Sequence, residues 1–163
     1  MPALFKHFWI MFIVVTIANG LIWKSRSKKY ISEKPALKDG YDSLIKGWFI
    51  YGNIPWIIMG IGMLTGLTND MFDFFNPRQL NPIVTTFFLS IIMLWIIGSY
   101  WIYFNGGAEK LVNHPGMFTQ TEKGNEKFEV MKVKLMWGLG ILGGIFSFIM
   151  MWNMNLPPEP FGH

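Results

Sequence analysis

Between Arg78 and Glu109 the chain carries no charged side chain, and the stretch from Leu80 to Ala108 is mostly Ile, Leu, Phe, Trp and Tyr. A helix needs about 20 apolar residues, rising ~1.5 Å each, to cross the hydrocarbon core of a bilayer. This stretch is long enough to do so. Asn81-Pro82 supplies an N-cap followed by proline at the first helical position, and Asn105-Gly106-Gly107 supplies a stop. The expected helix covers residues 82–104.

Three more segments read the same way, at about 4–23, 44–68 and 135–154. Only 15% of the residues are charged and 52% are apolar, against about 25% charged in a soluble domain. The expected fold class is therefore all-α: a polytopic membrane protein, one integral domain over residues 1–163, with four transmembrane helices in a bundle. The first segment resembles a signal peptide in having Lys6 ahead of an apolar run. Four basic residues and no small-x-small cleavage site follow it, so it reads as a retained helix. Pro55 should bend the second helix and free a carbonyl near Tyr51, which the amide of Asn53 can reach. Asp42 or Ser43 is the expected cap of that helix. Thr119-Gln120-Thr121-Glu122 has capping-box spacing, which would start the fourth helix in water.

The connectors 24–43 and 105–134, with their flanks to Lys46, hold all but two of the 14 Lys and Arg residues; the exceptions are Lys6 and Arg78. By the positive-inside rule both long connectors are cytoplasmic and both termini lie outside, with a bacterial inner membrane as the default location. The formal charge of +4 does not point to nucleic acid, because the basic residues sit at the ends of spans and not along one polar face. Lys24, Arg26, Lys28 and Lys29 are instead a candidate patch for anionic lipid, or simply the topogenic signal. Cysteine is absent, so thiolate metal sites and iron–sulfur clusters are excluded.

The spans hold no Asp, Glu, Lys, Arg or His between their flanking charges. Proton relays, ion-coupled carriers and bis-histidine haem sites use such groups, so those classes lose support. No cofactor or resident metal is expected. Asn19, Asn53 and Ser99 are the intramembrane polar residues, placed at similar depth; they would line a vestibule or tie helices together by hydrogen bonds. Gly60, Gly62 and Gly66 in the second helix, and Gly140 and Gly144 in the fourth, are spaced for close helix packing on each other or on a partner chain.

Beyond the third helix, Glu109 and His114 are the candidate catalytic pair, an acid and a base five residues apart; the structural alternative is a short helix followed by a His-Pro-Gly turn. Met71, Met150, Met151, Met154, His7 and His163 are a possible set for cuprous copper, with apolar filler as the plain alternative. The expected function is that of an accessory subunit of a larger membrane assembly, with lipids and other membrane subunits or further copies as partners. Two other readings fit: a small enzyme acting on a lipid-linked substrate at the cytoplasmic face, and an oligomeric pore or carrier.

Overall fold

The computed structural model describes residues 7–117 and 126–154. Among them every regular element is helical. Four segments are long and apolar enough to cross a membrane: Phe8–Glu33, Pro35–Leu64, Pro82–Phe104 and Phe128–Asn153. The chain is a multi-pass, all-α protein.

Helix α1 (Phe8–Glu33) runs ten residues past its expected end at Trp23. Charge marks where a helix leaves lipid, not where its backbone hydrogen bonds stop. Trp23, Ser27, Tyr30 and Ile31 recur at helical spacing and face inward, so the basic extension packs like a soluble amphipathic helix. It ends at Lys34, because the following Pro35 disfavours helical backbone at that residue.

A 3-10 turn (Pro35–Leu37) leads into α2 (Lys38–Tyr51), so the second membrane segment starts six residues before residue 44, and Asp42 and Ser43 lie inside it and do not cap it. The helix breaks at Gly52-Asn53 and resumes as α3 (Ile54–Leu64). Pro55 is the cause; the Asn53 amide does not reach the carbonyl near Tyr51 but donates through Nδ2 to Phe49 O at 2.7 Å, the carbonyl left open because Asn53 N turns to Ile50 O. Gly66, at φ +72°, then ends α3, with the amides of Leu67 and Thr68 both donating to Gly62 O. The segment therefore stops short of residue 68.

Two 3-10 turns, Met71–Phe75 and Pro77–Gln79, carry the chain to α4 (Pro82–Phe104). Asn81 caps it by accepting from Ile83 N at 3.0 Å, and its boundaries match those expected. A left-handed Gly106 separates α4 from the short α5 (Gly107–Val112). Helix α6 (Glu126–Asn153) begins nine residues before residue 135. The capping-box residues Thr119 to Glu122 lie outside the described residues.

Contacts between the spans follow chain order. Helix α1 packs on α2 and α3, α3 on α4, and α4 on α6, with α5 wedged between α4 and α6; α1 and α6 share no substantial contact. The α1 interface is aromatic: Phe12 stacks on Trp56 at 4.0 Å, Trp23 meets Trp48 at 4.6 Å, and Trp48 Nε1 donates to Thr16 O at 2.9 Å. One core lies at the end nearest Met63 and Phe74. Two smaller ones lie at the opposite end, around Tyr41 and around Ala108.

Candidate functional site

The two smaller cores build a folded cap at the basic end of the spans. Its parts are the α1 extension, the 3-10 turn, the first half of α2, α5, the turn 113–117 and the first turns of α6. The turn is fastened at four points. The His114 imidazole lies directly over Gly40, so close that a β-carbon there would overlap Nε2. Its Nδ1 meets Lys110 O at 2.6 Å, and since a carbonyl can only accept, Nδ1 carries the proton. Tyr41, completely buried, donates its hydroxyl to Pro115 O at 2.7 Å and packs edge-on to the His114 ring. Gly116, at φ +88°, lies against Tyr30, and Met117 enters the Tyr41–Ile45 core.

Glu109 and His114, the expected acid–base pair, have different neighbours. Glu109 is half exposed and pairs with Lys134 of α6 at 3.3 Å. Its carboxyl is held below the ordinary 4.5, first by backbone hydrogen bonding; burial pushes the other way, and the hydrogen bond and charge of Lys134 add to the lowering. His114 is buried against α2. The ring has no room for a substrate on the Gly40 side, and its Nδ1 is already engaged. Lys110 reaches the other way, to Ser43 Oγ at 3.1 Å. Glu129, also buried, has one carboxylate oxygen with no hydrogen bond among the described residues; Lys132 approaches it only to 3.9 Å.

The intramembrane polar residues occupy different interfaces. Asn53 mends the α2–α3 break, and its Oδ1 is buried without a partner among the described residues. Asn19 is half-buried on α1 beside Gly20. Ser99 lies between α4 and α6, where Oγ accepts from Trp137 Nε1 at 3.1 Å. Lys24, Arg26, Lys28 and Lys29 are exposed on the α1 extension.

The glycines divide by what covers them. Gly20, Gly60, Gly98 and Gly144 each face an aromatic ring of a neighbouring helix, from Phe49, Trp9, Trp137 and Trp95 respectively, at distances a β-carbon could not share. Gly62 faces Ile83 and Thr68. Helix-to-helix approach here runs through a ring seated on a glycine. Gly66, Gly140 and Gly143 have no atom within 4 Å of where a β-carbon would be. On α6 the open positions form a pattern: Met136, Gly140, Gly143, Ser147, Met150 and Met154 recur at spacings of four and three and are all exposed. Of the proposed thioether set, Met151 packs into the main core while Met150 and Met154 face out; His163 lies outside the described residues.

Tyr41 and Lys134, which no sequence pattern singled out, carry the cap together with Gly40 and Gly116. Tyr41 and Pro115 are 74 positions apart, and no periodicity links them. Among the described residues no three His, Asp or Glu side chains gather as a metal-holding group. No protein-family model, curated protein or solved structure matches the chain.

Proposed function

We propose that this protein is a small structural subunit of a larger membrane assembly, docking a further transmembrane helix on the outward stripe of α6. The observation that carries the reading is the stripe itself. None of the most apolar 18-residue window of α6 is buried within the chain, and its outer face presents Gly140, Gly143 and Ser147 at heptad-like spacing between methionines. In lipid, helices associate through close backbone approach and dispersion, which small residues at such spacing permit. The cap supports the same reading. Its histidine and carboxylate are committed to holding the turn 113–117 and α6 in place, which suits a rigid scaffold better than a reaction centre.

The positive-inside rule puts the cap, with its exposed Lys24, Arg26, Lys28 and Lys29, on the cytoplasmic side and both termini outside. Each of those charges adds about 1 kcal/mol of attraction to an anionic leaflet.

Because the chain has no cysteine, Ser147→Cys gives a single-thiol probe. Oxidative crosslinking in native membranes should trap one defined species, either a dimer or a larger adduct, and Gly143→Ile should abolish it. A Ser147→Cys protein that stays monomeric under oxidation, and purifies alone in mild detergent, would rule the subunit reading out.

A further inference from the structure

Helices α4 and α6 do not close on each other along their whole length. Trp95 seats its ring on Gly144 and Trp137 seats its ring on Gly98, and these two indoles fix the spacing of the pair. Alongside them lies an open furrow of about 450 Å3, walled by Ile92, Trp95, Ile96, Ser99, Tyr100 and Phe104 of α4 and Ile141 of α6. Its lining is almost wholly apolar. From Ile92 to Phe104 it runs roughly 18 Å at the helical rise, a little over half of the ~30 Å hydrocarbon core.

That length limits the occupant. A docked helix from another chain would need a furrow crossing both leaflets. This one begins near mid-span and ends at the interface, which is the extent of one acyl chain in one leaflet. The end it reaches is the basic one: Tyr103, next to Phe104, donates its hydroxyl to Lys134 O at 2.8 Å. The Lys134 ammonium is partly exposed, and Glu109 at 3.3 Å takes up only part of its three-donor capacity.

We propose that this furrow is a binding site for a membrane phospholipid, its acyl chain lying along α4 from Phe104 to Ile92 and its phosphate meeting Lys134. The site rests on the chain crossing a membrane and not on the exposed stripe of α6, which shares no residue with the furrow's lining. Retention does not come from the hydrophobic effect, since the chain leaves one apolar medium for another. It comes from dispersion contact, greater in a furrow than on a convex helix, and from attraction to the Lys134 ammonium, which stands outside the apolar lining.

The test is native mass spectrometry of the protein released from mild detergent micelles. The wild type should carry one phospholipid per chain. Ile96→Trp, which fills the furrow from a position 65% exposed, should reduce occupancy at least tenfold, and Ile92→Trp at the deep end should do the same. Leu139→Trp, on the α6 surface outside the furrow, should leave it unchanged. Lys134→Gln should lower occupancy roughly fivefold, the effect of one juxtamembrane charge. A lipid-free wild type, or furrow-filling variants that keep their lipid, would overturn the assignment. So would a furrow-dependent dimer that Ile96→Trp converts to monomer. Loss of crosslinking at Ser147 with lipid retention intact would sink the docking reading and leave this one standing.

Discussion

Gly40→Ala should damage this protein although alanine is the better helix former. Gly40 is the third residue of α2, and in a helix interior the exchange ordinarily stabilises by about 0.5–1 kcal/mol. Here the new methyl would overlap His114 Nε2 and sit 2.5 Å from Cε1 and 2.8 Å from Cδ2. To bring Cε1 to 3.4 Å, where ordinary contact begins, the ring has to withdraw by at least about 0.9 Å. The ring is no free end. It is tied through Nδ1 to Lys110 O, followed by proline, and boxed by Tyr41. Forced repacking of this sort costs about 1–3 kcal/mol. Displacing the turn also endangers the Tyr41–Pro115 hydrogen bond, worth about 1 kcal/mol net and more if the buried hydroxyl is left unpaired. After subtracting the helical gain, the expected loss is about 2 kcal/mol. Gly140→Ala is the matched control: with no atom within 4 Å of the new methyl, the isolated chain should be unchanged or up to about 1 kcal/mol more stable. Denaturant titration in mild detergent, followed by circular dichroism, measures both. Adding His114→Ala to Gly40→Ala removes the clashing ring, so the double variant should be at least 1 kcal/mol more stable than the two single losses add up to. If Gly40→Ala is as stable as Gly140→Ala, the seating of His114 on Gly40 is wrong.

Tyr41→Phe removes the hydroxyl and orphans Pro115 O; it should cost about 1–2 kcal/mol in the same titration, with no change in helical content. Glu109→Gln should cost under about 1 kcal/mol, because the Lys134 pair is solvent-facing and screened. A carboxyl held below its ordinary value stabilises the fold fully above 4.5 and loses that contribution as pH falls through its lowered folded value. The wild type should therefore lose slightly more stability than Glu109→Gln on acidification below about pH 4.5, and identical acid profiles would refute the pairing.

The spans were legible in the sequence because lipid imposes one strong local rule, namely unbroken apolar character over a fixed length. Helix α4 obeyed it with a proline at one end and glycines at the other, so both its boundaries were readable. Where a helix left lipid, the rule stopped applying. The segment Lys24–Glu33 looked like a loop because it was charged, yet Trp23, Ser27, Tyr30 and Ile31 already formed a helical stripe. The candidate pair Glu109 and His114 was read from nearness in sequence. Glu109, on the short α5, points toward α6, while His114, in the turn beyond it, is seated on α2. The role of Gly40 comes from a ring 74 positions away, a relation that sequence spacing does not encode.

The glycines of α6 carry the last step. Gly144 is explained within the chain, because the Trp95 ring occupies the place of its side chain. Gly138 is covered by the Tyr103 hydroxyl at 3.0 Å. Gly140 and Gly143 have no such cover, and each weakens the helix by close to 1 kcal/mol relative to alanine without any packing gained in return. Ser147 adds no polar demand to that face, since its hydroxyl donates back to Gly143 O at 2.8 Å. Two uncovered glycines and a self-satisfied serine leave a shallow apolar channel along the helix, flanked by methionines whose unbranched side chains adapt to a neighbour. In an isolated chain that channel is only a cost. Under the docking proposed above it is where two backbones would come close, and the same glycines that weaken α6 alone would be the reason it binds.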